Sequence, residues 1–221
     1  MGGQPKSSGL PAIQTGDQTL RVAPIRTLNQ AHKLDFIGDH LAIDFVNTAR
    51  MVGGELTDTL QTDHDVRVWL SLANVPVSSK PATWQAGALV AAARHLRQAA
   101  LKAIEAKKRG ERPPLKVLNA FLNSSTSHGV LIERSALMLE FRRVYHGTTP
   151  EEFLAPVAES VADLLAHADF DLVRKCASER CVLWFYDRTK GHGRRYCTAE
   201  GCGNRAKVAA YRARARETRR H

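Results

Sequence analysis

Four cysteines within one short stretch of the 221-residue chain constrain its fold more than any other feature of the sequence. Cys176 and Cys181 have four residues between them, and Cys197 and Cys202 repeat that spacing after fifteen intervening residues. Two short pairs separated by a dozen or more residues are typical of a tetrahedral Zn²⁺ site in which each pair supplies two thiolates. The sequence therefore predicts one structural zinc ion per chain, held by these four side chains.

Two disulfides, or free redox-active thiols, are the alternatives to a metal site. The sequence shows no secretory signal pattern and no run of eighteen apolar residues. We therefore expect a cytoplasmic protein, and disulfides are rare in that compartment. Four thiolates would fill the zinc shell and leave no position for a substrate. Because the sequence also lacks a nucleophile elbow, a phosphate-binding glycine loop and a dinucleotide motif, we expect that the protein is not an enzyme.

The residues around the cysteines predict a small module built from a hairpin and a helix. Residues 182–186 are typical of a strand, and residues 194–196 are expected to return beside it after a glycine-containing loop. Residues 205–219 are rich in alanine and arginine without proline, which predicts a helix with Asn204 as its N-cap. The order along the chain is then knuckle, hairpin, knuckle and helix, which is the layout of a small zinc module.

These residues also carry a family resemblance. Cys202-Gly203-Asn204-Arg205 resembles the signature of the CGNR zinc-finger family. Other residues sit where that family's pattern places such residues: Cys181, Phe185, Asp187, Arg195, Tyr196, Cys197 and Lys207. The first cysteine pair departs from the knuckles most familiar from zinc fingers, because its four-residue spacing is wider than theirs.

The sequence FIGDHLAIDFVNT at residues 36–48 resembles the opening motif of ABATE, a domain that accompanies this finger and is described as a "putative stress-induced transcription regulator". The resemblance covers nearly the whole chain after about Pro24. It implies a bacterial regulator with a DNA-binding end that is stabilised by metal.

The net charge of +10 is concentrated in the cysteine-containing end of the chain. Residues 174–221 hold fourteen lysines and arginines against four acidic residues, whereas residues 1–173 hold eighteen of each. A zinc ion with four thiolates would lower the charge of this end to about +8. A field of this sign attracts phosphate backbones, so we expect a nucleic-acid partner, with DNA favoured over RNA.

The predicted C-terminal helix carries a basic face and an apolar face. Helical spacing places four arginines along one side: Arg205, Arg212, Arg216 and Arg219. A second group, Val208, Tyr211 and Ala215, is expected to cover the hairpin. Further candidates for nucleic-acid contact are Lys207 on the helix and four cations around the hairpin loop: Arg188, Lys190, Arg194 and Arg195.

Two other functions use the same surface. Single-stranded RNA could stack on the aromatic side chains of residues 184–186, although we expect those rings to pack in the module's core. The basic face could instead bind an acidic protein partner. A nucleic-acid titration distinguishes the three cases, since only a protein-interaction module would bind neither duplex nor single strands.

The rest of the chain predicts a mainly α-helical domain with a small β-hairpin, an α+β fold. Residues 1–28 are expected to form a flexible tail, residues 29–172 the ABATE-like domain and residues 173–221 the zinc module. Helical periodicity predicts helices over residues 39–50, 58–72, 83–108, 115–122 and 150–169. Residues 130–134 and 137–145 alternate as two hairpin strands, which we expect to pack on the helices.

A polar corner in the first predicted helix is the candidate effector pocket. Asp44, Asn47 and Thr48 lie within one helical turn. They either cap and brace the adjoining glycine loop at residues 52–55 or form the polar part of a ligand pocket. A homodimer is compatible with this interpretation, because sequence-specific DNA recognition often uses one.

Overall fold

The computed structural model describes residues 36–77 and 84–218, so the tail predicted at residues 1–28 and the predicted contact residue Arg219 lie outside the described residues. The described helices and strands follow one another as α1 (Leu41–Val46), β1 (Ala49–Val52), β2 (Glu55–Asp58), α2 (Asp63–Leu72), α3 (Ala88–Lys108), α4 (Lys116–Asn123), β3 (Thr126–Ser135), β4 (Met138–His146), α5 (Pro150–His167), β5 (Val173–Lys175), β6 (Trp184–Tyr186), a π-helix (Ala199–Gly203) and α6 (Asn204–Thr218). The predicted fold class, mainly helical with small antiparallel hairpins, is confirmed.

The helices α1 to α5 enclose the main core. Fully buried side chains from four of them meet there, among them Phe45, Trp69, Leu96 and Leu154. Six alanines of α3 are buried. Because their methyl side chains are small, neighbouring helices can pack close to the backbone of α3. Within the described residues, no helix is both long and apolar enough to cross a bilayer.

Local capping fixes where the helices begin. Thr62 at the start of α2 and Thr149 at the start of α5 each form a capping box with the acidic residue three positions later. The prediction that α3 starts near residue 83 is wrong, because the helix begins at Ala88. Gly87 precedes it with a φ of 86°, and the Asp63 carboxylate of α2 accepts the N–H groups of Gly87 and Val90 at 3.0 and 2.8 Å.

The first helix is shorter than predicted, and a hairpin replaces its second half. α1 ends at Val46, and the Thr48 hydroxyl donates to the Phe45 carbonyl at 2.7 Å, a local bond that competes with continuing the helix. β1 and β2 then pair antiparallel around the predicted glycine loop. Arg97 of α3 holds this hairpin by a two-pronged contact with Asp58 and a bond to Thr48 at 2.8 Å.

The second hairpin forms as predicted, but the expectation that it packs on the helices is wrong for most of its length. β3 and β4 pair from Thr126–His146 at the base to Ser135–Met138 beside the turn. At the base, Tyr145 is buried and its hydroxyl donates to Glu159 of α5 at 2.6 Å. Beyond that point the side chains of both strands are mostly exposed. We call residues 126–146 the arm.

The zinc module is joined to the helical domain through a shared core. β6 pairs with β5, and the predicted return strand at residues 194–196 is wrong, since those residues are not in a strand. The reason is that both edges of β6 are occupied: β5, which arrives directly from the helical domain, pairs with one, and Asn47 and Gly38 of the helical domain bond to the other. Val173 and Trp184 of this ribbon are buried in the main core, so the two parts of the chain are in direct contact.

Candidate zinc centre and nucleic-acid interface

The four cysteine sulfurs converge in a geometry that suits a tetrahedral metal ion. All four side chains are buried, and their Sγ atoms lie within 4.8 Å of one another. Cys181 Sγ lies 3.8 Å from Cys197 Sγ, which lies 3.6 Å from Cys202 Sγ. Ligands at about 2.3 Å in a tetrahedron around zinc are about 3.8 Å apart. The donor set and the spacing therefore fit one Zn²⁺ ion.

The first knuckle is a tight turn fixed by backbone hydrogen bonds. The Cys181 N–H donates to the Ser178 carbonyl and the Cys176 N–H to the Leu183 carbonyl, both at 2.9 Å. The Ala177 N–H donates to the Arg195 carbonyl at 2.8 Å, which ties this turn to the segment that leads into the second knuckle. The wide spacing of this pair is thus accommodated within an ordered turn.

The second knuckle is shaped by Thr198, a residue that sequence analysis did not single out. Its hydroxyl accepts the Gly201 N–H and its carbonyl accepts the Gly203 N–H, both at 3.0 Å. Cys202 lies in the π-helix that follows. A Cβ atom at position 201 would lie 2.5 Å from the Thr198 hydroxyl, so glycine is required there for steric reasons. A threonine three residues before a glycine and just before a helix is an N-cap signal.

Two hydrogen-bond donors beside the sulfurs favour negative charge on them. The Cys197 N–H donates to Cys176 Sγ at 3.4 Å, and Arg205 Nη2 donates to Cys202 Sγ at 2.9 Å. The hydrogen bond between the Cys181 and Cys197 sulfurs lowers the pKa of Cys181 to about 5 and, together with burial, raises the pKa of Cys197, while burial raises the pKa of Cys176. Thiolates are the form in which cysteine binds zinc, so this cluster is suited to a divalent cation.

A buried aspartate organises the loop between the knuckles. Asp187 is fully buried and accepts the Thr189 hydroxyl at 2.6 Å, the Arg194 N–H at 3.0 Å and Arg174 Nη1 at 3.2 Å. Burial would raise the pKa of this carboxyl, but these hydrogen bonds together hold its pKa below the usual value. Arg174 also donates to the His192 carbonyl at 2.9 Å, so it connects the ribbon to the loop.

Arg194, one of the predicted nucleic-acid contacts, is held inside the fold. Its guanidinium donates to the carbonyls of Ile37 at 2.7 Å, Tyr196 at 3.1 Å and Cys197, and it pairs with Asp39. It also covers the Phe185 ring at 4.3 Å. The side chain is 18% exposed. These contacts assign it to the joint between the zinc module and the start of the helical domain.

The predicted effector-pocket residues lie at the same joint. The Asn47 side-chain amide donates to the Trp184 carbonyl at 2.8 Å and accepts the Trp184 N–H at 2.9 Å, which imitates a paired strand. The buried Thr48 bonds to Phe45 and Arg97. Asp44 accepts the Gly38 N–H at 2.7 Å, and burial raises the pKa of Asp44 to about 6.

The space beside these three residues is small. Asp44, Asn47 and Thr48 line a cavity with about 10 Å³ accessible to water, enough for about one water molecule. A far larger cavity of about 590 Å³ lies on another side of the joint. Its walls come from β1 and β2, from α3 and from the ribbon of the zinc module: Val46, Ala49, Leu56, Arg94, His95, Arg97, Gln98, Leu101, Glu105, Lys175, Val182 and Trp184. Sequence analysis missed it because its walls are far apart in the chain.

Helix α6 extends away from the zinc centre, and most of its side chains are exposed. Within the described residues, no side chain of α6 is buried. The prediction that its apolar face covers the hairpin is wrong, because Val208 is 41% exposed and Tyr211 is 68% exposed. The β5–β6 ribbon is covered by the helical domain instead. Arg205, Lys207, Arg212 and Arg216 are all exposed, so the helix presents a basic surface from its first turn onward.

Three other predicted cations lie on the surface of the loop between the knuckles. Arg188 lies over the Tyr186 ring at 5.3 Å, Arg195 lies near the Tyr196 ring at 5.9 Å, and Lys190 is exposed. A groove of about 520 Å³ separates this loop from the first turns of α6, and Arg195 and Lys207 both line it. The arrangement therefore offers cations on two walls of one groove.

Comparison with known families agrees with this geometry. A family model named ABATE, described as "putative stress-induced transcription regulator", matches residues 39–168, and a model named CGNR zinc finger matches residues 173–215. Among curated proteins, none matches the chain significantly. The zinc-finger match and the converging cysteines together establish a structural zinc ion as the cofactor.

Proposed function

The chain belongs to the ABATE family, and from that premise we propose that it regulates transcription by binding duplex DNA through its zinc module. The observation that carries the proposal is α6, a basic helix that extends from a closed zinc centre with no side chain buried by the described residues. The side chains of this helix are not used to form a core with the rest of the described residues. Its basic residues are therefore available to a polyanion.

The dimensions of α6 suit a DNA groove. Its fifteen residues span about 22 Å, and an α-helix fits the major groove, which is about 12 Å wide. Arg212 and Arg216 are one helical turn apart and can reach phosphates or guanine edges on the same side. Arg195 and Lys190, on the neighbouring loop, are placed to contact the backbone beside the groove.

We propose that the zinc ion stabilises the start of α6 and so positions this basic surface. Cys202 lies two positions before the start of α6, and Arg205 in the first turn of that helix donates to the Cys202 sulfur. Loss of the ion would leave buried thiolates facing one another and would release the start of the helix. A shell of four thiolates leaves no coordination position open, so we propose a structural role for the metal and a binding role, without catalysis, for the protein.

Duplex DNA is favoured over single-stranded RNA by the state of the aromatic residues. Trp184 and Phe185 are buried in the two cores, as expected from the sequence, and Tyr186 is half-buried beneath Arg188. Single-strand recognition usually depends on aromatic rings that stack with bases, and these rings are not available for it.

A titration that compares nucleic acids tests the proposal. We would load the full chain with zinc, verify one ion per chain by mass spectrometry, and titrate it into labelled duplex DNA, single-stranded DNA and single-stranded RNA of matched length. Each titration is run at several salt concentrations and repeated after chelation. We expect duplex binding that weakens steeply with salt and is lost on chelation.

The other outcomes separate the alternatives. A preference for single strands would replace the proposal with RNA binding. A zinc-loaded chain that binds none of the three at low salt would reject nucleic-acid binding and favour an acidic protein partner. Retention of duplex binding after full removal of zinc would contradict the structural role of the metal.

The cavity of about 590 Å³ is where we propose that the helical domain senses a ligand. Its volume lies within the usual range for small-molecule sites. Leu56, Leu101 and Trp184 give it an apolar lining, and Arg94 and Lys175 bring cations to it. This lining suits a small apolar molecule with an acidic group. Because Lys175 and Trp184 belong to the zinc module, such a ligand would contact both parts of the chain.

A fluorescent apolar anion tests this cavity without knowledge of the natural ligand. We would titrate 8-anilinonaphthalene-1-sulfonate into the zinc-loaded chain and into the variants Leu101→Trp, which fills the cavity, and Leu115→Trp, a control on the surface of the helical domain. Loss of binding in the first variant and retention in the second is expected. Equal binding in both would show that the probe sits elsewhere and would reject the site.

A further inference from the structure

The arm carries an apolar face that the described residues do not cover. Because side chains alternate along a strand, Leu131, Leu139 and Phe141 lie on the same face as Tyr145, which packs against α5. The arm extends past the helix, so these three side chains are 69%, 65% and 67% exposed. Leu137 in the turn is 99% exposed.

This exposure is large for the surface of a single chain. At about 150 Å² for each side chain, the lower end of the aromatic range, the four residues expose roughly 450 Å². A standard interface buries about 800 Å² per partner, and an apolar patch of several hundred Å² is often functional. The arm can therefore supply about half of one side of a stable interface.

The opposite face of the arm is more polar. Glu140 pairs there with Arg134 and Arg142, each at 2.5 Å. Val130 and Ile132 on that side are half-buried, and Met138 beside the turn is 63% exposed. The two faces of one hairpin thus differ, and the uncovered one is the face that continues the packing surface of Tyr145.

The charges at the two ends of the apolar face indicate what kind of partner it binds. Glu133 lies opposite Leu139 near the turn, and Arg143 lies opposite Gly129 nearer the base. The Leu131–Phe141 pair lies between them. Arg143 Nη1 is 3.5 Å from Glu159, but the side chain remains 54% exposed and accessible to a second carboxylate. An acid and a base on either side of an apolar centre form a self-complementary pattern.

We propose that this face of the arm is a homodimer interface, in which two arms pack antiparallel about a two-fold axis near Leu131 and Phe141. Rotation about that axis brings Glu133 of each chain beside Arg143 of its partner, so the same contact is made twice, as an isologous interface requires. A membrane or a nucleic acid does not present the matching pattern, an apolar centre with a base on one side and an acid on the other. The proposal does not depend on DNA binding.

Sedimentation equilibrium of the zinc-loaded full chain, without nucleic acid, tests the interface. We expect a concentration-dependent dimer. Leu131→Glu places two like charges at the axis and is expected to raise the dimer dissociation constant at least tenfold. Leu115→Glu makes the same change at a 45% exposed leucine outside the arm and should leave the constant unchanged. Circular dichroism verifies that both variants remain folded.

Mixing two charge variants tests the antiparallel arrangement itself. Glu133→Arg and Arg143→Glu should each weaken self-association about tenfold, because like charges then meet twice. An equimolar mixture of the two should form a heterodimer about as tight as the wild-type dimer, since every facing pair is again opposite in charge. A wild-type chain that stays monomeric at all concentrations, a dimer insensitive to Leu131→Glu, or a mixture that does not associate would each overturn the proposal.

Discussion

The zinc-binding segment, residues 174–203, and helix α6 are adjacent in the chain and both are rich in arginine, yet their arginines have opposite roles. In the zinc-binding segment, Arg174 of β5 and Arg194 of the loop between the knuckles donate to backbone carbonyls and pair with Asp187 and Asp39. In α6, Arg212 is exposed and no hydrogen bond or ion pair connects it to the described residues. The first group holds the fold together, and the second group is available to a ligand.

The difference shows how net charge should be interpreted. The C-terminal end carries a formal excess of +10, but part of it compensates groups that this count leaves out: Asp39 of the helical domain by Arg194, and the Cys202 sulfur by Arg205. The charge that can attract DNA is therefore smaller than the count and lies on α6 and on the surface of the loop. Substitutions in the two regions should accordingly affect different measurements.

Arg194→Ala should have the largest effect. It removes three backbone contacts, leaves the Cys197 carbonyl beside the metal site without this donor, and uncovers the Phe185 ring. We expect the free energy of unfolding of the zinc-loaded chain to fall by about 3 kcal/mol or more, measured by urea denaturation followed by tryptophan fluorescence.

Arg195→Ala is the matched control for this variant. Its side chain is on the surface, so the free energy of unfolding should change by less than about 0.5 kcal/mol, while duplex affinity should fall. If the two variants unfold at the same urea concentration, the division between fold-supporting and available arginines fails.

Gly201→Ala tests the knuckle without changing any charge. The new methyl group would lie 2.5 Å from the Thr198 hydroxyl and would displace the cap that precedes the π-helix. Overpacking of this kind costs about 2 kcal/mol, and we expect a matching loss of stability with faster release of zinc to a chelating dye. Gly191→Ala meets nothing within 4 Å and should release zinc at the wild-type rate. Equal release from both would show that the cap does not support the site.

Sequence analysis predicted the features whose determinants are close together in the chain. The two cysteine pairs, the helix of residues 150–169 and the two strands of the arm all depend on patterns within a few residues or across one hairpin. The end of α1 was harder to predict, because a helix continuing to residue 50 and a helix stopped by Thr48 fit the same apolar periodicity.

The features that were missed depend on long-range contacts. The pairing of β6 with β5 and the bond between Asn47 and Trp184 join segments that periodicity cannot relate, the latter across 137 positions. The family motif at residues 36–48 illustrates the point. The sequence predicts a cap or a pocket at Asp44, Asn47 and Thr48. In the structure Asn47 bonds to Trp184 of the zinc module, and Asp44 holds Gly38, whose carbonyl accepts the Tyr186 N–H.

Removing charge from α6 tests the second group of arginines, those that are exposed and available to a ligand. The double variant Arg212→Ala, Arg216→Ala loses two exposed side chains, so its free energy of unfolding and zinc content should stay at wild-type values. Duplex affinity should fall about tenfold, and the slope of log affinity against log salt should decrease by about 2, as expected for two lost phosphate contacts. The lysine double variant, which keeps both charges, separates phosphate contact from base reading. An unchanged slope in the alanine variant would remove α6 from the interface.

The smallest expected effect concerns the joint itself, where burial raises the pKa of Asp44 to about 6 from a usual value near 3.8. Between these values the unfolded chain has lost the proton that the folded chain retains, so stability falls as pH rises from about 4 through about 6 and is then constant. Asp44→Asn keeps the acceptor for the Gly38 N–H but cannot ionise. It should therefore be more stable than wild type at pH 7.5.

We expect that gain to be about 1 kcal/mol, well below the full value of the shift because the side chain is only half-buried. Urea denaturation at pH 7.5 and pH 5.5 measures it, and the gain should shrink at the lower pH, where wild-type Asp44 is mostly protonated. Asp171→Asn, an exposed control, should show no pH-dependent gain. A loss of stability in Asp44→Asn at both pH values would mean that the charged carboxylate supports the joint, and that this part of the molecule is held by charge in the same way as the knuckles.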